Sequence, residues 1–128
     1  MTAPEKDNPP LPVLIVDDDK ESLLALATTL RTIGITNIRS VSDSAAVPSM
    51  LGQEAFSLVL LDLNLPGLSG LEILEKATEL TSRPPFIIVT GNLPSPEFSH
   101  PFPPEVAACL TKPVDRERLI AAVLAAIG

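Results

Sequence analysis

Leu14-Ile15-Val16-Asp17-Asp18-Asp19 and Leu58-Val59-Leu60-Leu61-Asp62-Leu63-Asn64 share one pattern: an unbroken run of branched aliphatic residues that stops at carboxylates. Such a run reads as a strand buried on both faces of a parallel sheet, with its carboxyl end opening into a crevice. In open α/β sheets ligands bind at that edge, where the strand order reverses. Three carboxylates brought there together, Asp17, Asp18 and Asp62, repel one another unless a cation shares the site. The pattern therefore asks for a divalent metal and, with it, phosphate chemistry.

Outward from these two runs, strand-like and helix-like segments alternate. Residues 12–17 read as the first strand. Residues 20–33 carry an apolar stripe (Leu23, Leu24, Leu26, Ala27, Leu30 and Ile33) that Gly34 ends. A short strand follows over 37–41, then a helix over 45–51 capped by Asp43 and Ser44 and confined by Pro48. The central strand covers 57–62, and a second clear helix 69–80. Residues 85–90 form another buried strand, 106–111 a short last one, and Asp115 caps a final helix that reaches residue 127. This alternation implies right-handed crossovers and a doubly wound parallel sheet with helices on both faces. One stretch breaks the rhythm: where a helix is due between residues 90 and 106, prolines occupy 94, 96, 101, 103 and 104. An interior proline costs a helix roughly 3 kcal/mol, so residues 92–105 are expected to be extended, with at most one helical turn.

The bulk properties narrow the function. With 128 residues, of which 45% are hydrophobic, the chain suits one domain that buries a core without staples. Residues 1–10 read as a flexible tail and 11–128 as the domain. Cys109 is the single cysteine, which points to a reducing cytoplasm. No apolar stretch approaches membrane-spanning length, and the first residues lack the apolar core of a signal peptide. The net charge of −7 repels a phosphate backbone and argues against direct nucleic-acid binding.

Three further polar residues stand at strand ends: Thr90 after Phe86-Ile87-Ile88-Val89, Lys112 after the last strand, and Asn64 beside Asp62. Phosphoryl transfer asks little covalent chemistry of a protein beyond an aligned nucleophile and positive charge on the equatorial oxygens. Asp62 can be the carboxylate nucleophile, Mg²⁺ held by carboxylates can neutralise one side, Lys112 supplies a point charge, and Thr90 a hydroxyl donor. An acidic pair alone is more often a helix cap, and Thr90 alone an ordinary strand-end residue. The distant Asp62 and Lys112 give both their meaning.

The set Asp17-Asp18, Asp62 followed by Leu63-Asn64-Leu65-Pro66-Gly67 and Gly70, Thr90, and Lys112-Pro113 resembles the receiver domain of two-component response regulators, over nearly the whole chain. The resemblance implies a flavodoxin-like five-stranded sheet of order 2-1-3-4-5, here with the fourth helix missing or reduced. It implies that Asp62 accepts phosphate from a histidine kinase or histidine phosphotransfer protein, in a bacterial cytoplasmic pathway. Mg²⁺ would be held by Asp18, Asp62 and the Asn64 backbone carbonyl, with Asp17 ligating through water. Thr90 and Lys112 would be the switch residues, Asn64 and Asn92 would tune hydrolysis, and the bond before Pro113 would be cis. Such a domain is a signalling module, not an enzyme: it catalyses only its own phosphorylation and dephosphorylation.

Two departures from the family pattern stand out. The aromatic switch residue three positions before the lysine is replaced by Cys109, which reads as a small core residue, and the proline-rich segment stands where a helix is usual. His100 reads as a loop residue. Ile120 and Leu124 lie off the sheet-facing side of the last helix (Leu119, Ala122, Val123, Ala126 and Ile127), which suggests a homodimer or output surface there. Two other functions compete. A pseudo-receiver would have lost an acid or the lysine, and none is lost. A haloacid-dehalogenase-type phosphatase also uses an aspartate nucleophile, but Asp17-Asp18-Asp19-Lys20-Glu21 lacks the threonine of its motif.

Overall fold

The computed structural model describes residues 11–63, 65, 70–77, 79–80, 83–91 and 104–127. Five strands, β1 (Val13–Val16), β2 (Ile38–Val41), β3 (Leu58–Leu61), β4 (Phe86–Thr90) and β5 (Val106–Thr111), form one parallel sheet of order β2-β1-β3-β4-β5. Among the described residues four α-helices accompany it: α1 (Lys20–Thr32), α2 (Val47–Gln53), α3 (Gly70–Ala77) and α4 (Arg116–Ile127). This is the doubly wound order expected. From β1 the chain steps outward to β2, then returns across β1 to β3. The order therefore reverses between β1 and β3, the two strands that end in acids.

Every residue of β1, β3 and β4 is buried, which is why these segments read as continuous apolar runs and not as alternating ones. Successive side chains point to opposite faces, and each face has its own core. Leu14, Val16, Val59, Leu61, Phe86 and Ile88 pack with Val47 and Leu51 of α2 and Ile73, Leu74 and Ala77 of α3. Val13, Ile15, Leu58, Leu60, Ile87 and Val89 pack on the other face with Leu26, Ala27 and Leu30 of α1 and Leu119 and Val123 of α4.

Local chemistry sets the helix ends. The Asp19 side chain caps α1 by accepting from the amide of Glu21 at 3.0 Å. At the other end Gly34, at φ 88°, donates to the Arg31 carbonyl while Ile35 donates to that of Leu30. That is the paired closure which favours glycine. Asp43 accepts from the amide of Ala45 and opens a 3₁₀ turn (Ser44–Ala46) that runs directly into α2. Pro48 therefore falls in the first turn of α2, where its missing N–H costs nothing. Asp115 starts α4 by accepting from the amide of Glu117 at 2.9 Å.

Three sequence expectations need correction. Leu24 sits within the apolar stripe of α1 yet is exposed, because Leu26, Ala27 and Leu30 already fill the contact with the sheet. Ile127 is exposed in the last turn of α4. Cys109 is exposed and not a core residue. As the sheet's edge, β5 packs Ala108 and Leu110 against the α1/α4 core while alternate residues face outward. Residues 1–10, expected to be a tail, and the proline-rich segment 92–103, where the fourth helix is expected to be missing or reduced, lie outside the described residues.

Candidate functional site

The parallel register builds the site. Val16 stands opposite Leu61, so the next residue of each strand, Asp17 and Asp62, emerges side by side at the carboxyl edge. Backbone bonds fix both positions: the Asp62 amide donates to the Val16 carbonyl and the Asp17 amide to that of Val41, each at 3.1 Å. Asp17 is 1% exposed and Asp62 6%, whereas Asp18 faces solvent. Among the described residues, these three carboxylates form a cluster in which one oxygen from each lies within 4.8 Å of the others.

Lys112 closes the cluster from the end of β5. Its amide donates to the Thr90 carbonyl at 2.9 Å, which brings the end of β5 against that of β4. Its Nζ donates to Oδ2 of Asp17 at 2.6 Å and to Oδ2 of Asp62 at 3.0 Å. The peptide bond between Lys112 and Pro113 is cis. Thr90 is wholly buried at the end of β4. An open groove of about 310 Å³ adjoins Lys112 between α1 and α4, with Ser22, Ala25, Leu26 and Leu119 in its walls.

The electrostatics are those of an under-neutralised site. Burial pushes the Asp17 carboxyl above its ordinary value, against the opposing pull of the Lys112 hydrogen bond, the Asp19 amide and the Lys112 charge. Burial also draws the Lys112 ammonium down, but hydrogen bonds to Asp17 and Asp62 and their charges outweigh it and leave the group above its ordinary value. The two directions agree physically: the lysine gains two carboxylates, while Asp17 shares Lys112 with Asp62 and remains costly to ionise. A second cation would relieve that deficit. The donor set, carboxylate oxygens alone, suits a hard ion such as Mg²⁺ and not a soft one.

A model of the response regulator receiver domain matches residues 13–124. The chain belongs to the response regulator receiver domain family. The receiver is 31% identical to the response regulator protein TmoT of Ectopseudomonas mendocina over 115 residues, covering 90% of this chain and 52% of that one. It spans about half the length of TmoT and of the response regulator protein TodT of Pseudomonas putida, to which it is 28% identical. A CheY-like receiver domain from Methanospirillum hungatei superposes with a TM-score of 0.82 at 27% identity, covering 93% of this chain and 94% of the other. The receiver domain of DrrB from Thermotoga maritima, in a structure described as BeF3-activated, superposes at 0.75 with 26% identity, covering 91% of this chain and 97% of that one.

The fold thus joins Asp17, Asp62 and Lys112 by direct contacts, with Asp18 within 4.8 Å of the other two carboxylates and Thr90 at the adjoining strand end. Asn64 and Asn92 lie outside the described residues. Two features escaped the sequence reading. Lys112 was expected to serve the phosphoryl group, and its contact with Asp17 follows only from the register of β1, β3 and β5. Gly70, part of the recognised motif, makes a close backbone approach to Asp62 that no sequence spacing reveals.

Proposed function

We propose that this receiver is a phosphoacceptor, with Asp62 as the nucleophile, a phosphohistidine of a histidine kinase or phosphotransfer protein as donor, and Mg²⁺ as cofactor. The observation that carries this reading is the double contact of Lys112 with Asp17 and Asp62, across a pair of buried carboxylates it cannot fully neutralise. An oxygen of Asp62 attacks phosphorus in line with the donor nitrogen; the O–P bond forms as the N–P bond breaks, and the electron pair returns to the imidazole. Lys112 is already 3.0 Å from Asp62, and a small rotation carries its ammonium onto a phosphoryl oxygen. The Thr90 hydroxyl donates to another. Asp17 and Asp18, with Asp62 and the Asn64 carbonyl, would hold the metal, which when bound would offset the charge gathered on the phosphoryl oxygens. Asn64 and Asn92 orient the water that later hydrolyses the acyl phosphate.

Retention of every acid and of the lysine favours this over a pseudo-receiver. Among the described residues no helix is long and apolar enough to cross a membrane, and the site of action is the cytoplasm, where a partner kinase would be met. The output or self-association surface is the outer side of α4, where Leu124 is 50% exposed and Ile120 half-buried beside it. Acetyl phosphate with Mg²⁺ should phosphorylate the domain, EDTA should abolish the reaction, and Asp18→Ala should lose most of it. Phosphorylation that survives chelation would overturn the shared-cation argument.

A further inference from the structure

Gly70 is the first described residue of α3 and is buried. Conformational freedom does not explain it: among the described residues, the glycine at positive φ is Gly34. Space does. A Cβ on residue 70 would lie 2.6 Å from the carbonyl oxygen of Asp62, 2.6 Å from the Cα of Leu63 and 3.1 Å from the Cδ2 of Leu63. The first two are backbone atoms of the phosphoacceptor's own segment and cannot rotate away. The Gly70 amide also donates to the Leu63 carbonyl at 3.2 Å. The start of α3 is therefore seated directly on the peptide that follows Asp62. Gly52 and Gly91 differ: nothing comes within 4 Å of a Cβ built on either.

We infer that Gly70 is a positioning residue for the acidic site. Its bare Cα lets α3 clamp the Asp62–Leu63 peptide, and that peptide aims the Asp62 carboxylate at Lys112 and Asp17. For its functional meaning the inference rests on Asp62 as phosphoacceptor. Ordinary contact begins at 3.4 Å, so a methyl group requires both backbone distances to open by 3.4 − 2.6 = 0.8 Å. Leu61 is held on one side by Val16 and on the other by Ile88, so the strand cannot absorb the shift. It falls on Asp62 and Leu63.

The test compares wild type, Gly70→Ala and Gly52→Ala at a temperature where each is folded, following Mg²⁺ binding by amide shifts and phosphorylation by acetyl phosphate. Gly70→Ala should be phosphorylated roughly 10- to 100-fold more slowly, as expected for a reacting group misplaced by nearly 1 Å. Its half-saturating Mg²⁺ concentration should rise roughly tenfold, as for loss of a group that orients a metal ligand. Gly52→Ala should match the wild type in both. A folded Gly70→Ala with lowered thermal stability but unchanged Mg²⁺ saturation and rate would show a merely structural role and overturn the inference. If Gly70→Ala does not fold, the wild type decides: the Gly70 amide should shift along the same Mg²⁺ saturation curve as Asp62 and Leu63, and a resonance that ignores the metal refutes the coupling. A wild type that binds Mg²⁺ but takes no phosphate would defeat the phosphoacceptor reading alone, leaving the coupling to be decided by the Mg²⁺ curves.

Discussion

Replacing Lys112 with methionine removes the cation between Asp17 and Asp62 while keeping most of the side chain's bulk. At an effective dielectric of about 20, contacts of 2.6 and 3.0 Å amount to roughly 6 and 5.5 kcal/mol of gross attraction, and carboxylate oxygens up to 4.8 Å apart repel by at least roughly 3.5 kcal/mol. Much of the attraction is offset by desolvation of the ions, and breaking a fully buried pair costs about 3–5 kcal/mol. The Lys112 side chain is 24% exposed, so water will share the load, and about 2–3 kcal/mol is expected near pH 8. At this chain length that lowers Tm by roughly 6–15 °C. Circular dichroism is the assay, since the chain has neither tryptophan nor tyrosine for fluorescence.

The pH dependence gives the sharper test. Asp17 is raised above its unfolded value, so across the window from about 3.8 up to its folded pKa the native state binds more protons than the unfolded one. Stability therefore falls as pH rises through that window. Without Lys112 the groups that lower Asp17 are reduced, and the window extends upward. The deficit of Lys112→Met should thus be small near pH 4 and grow towards pH 8. The lysine's own contribution is fully present below about 10.5 and is lost only as pH rises through its raised folded value, so its titration does not interfere. Mg²⁺ should rescue the variant more than it stabilises the wild type, because no ammonium competes for the carboxylates. A deficit that does not change with pH, or below about 0.5 kcal/mol at pH 8, the level of an ordinary surface change, would refute the reasoning.

Two smaller perturbations probe other links. Gly34→Ala forces a side chain into the left-handed region at φ 88° and should cost about 1–2 kcal/mol in thermal unfolding, with no effect on Mg²⁺ binding. Asn92→Arg should slow decay of the phosphorylated form by obstructing the attacking water; decay at the wild-type rate would show that residue 92 points elsewhere.

The sheet was legible because its three central strands are buried on both faces and so are written as plain aliphatic runs. The acids were legible because each ends such a run. Partial burial was harder to read. Leu24 fits the helical period of α1 but lies off the side that α1 turns to β1 and β2, and Cys109 lies on an edge strand where only one face is packed against a described helix. Neither follows from local pattern, since both depend on how far the neighbouring layer extends. A register irregularity at Phe86/Ile87 further shifts which residues of β5 face each core: Val106 joins one, Ala108 and Leu110 the other. The site's finer geometry, Lys112 on Asp17 and Gly70 against Asp62, joins residues far apart in the chain and becomes visible only once the strands are in register.

Under the proposed function, Asp62 takes the phosphoryl group. Intact-mass spectrometry after incubation with a phosphorylated histidine phosphotransfer protein and Mg²⁺, followed by peptide mapping, tests it most directly. One phosphoryl group should appear on the peptide containing Asp62 in the wild type, and none on Asp62→Asn. A wild type that takes no phosphate from any competent donor, or an Asp62→Asn variant labelled as fully as the wild type, would contradict the account.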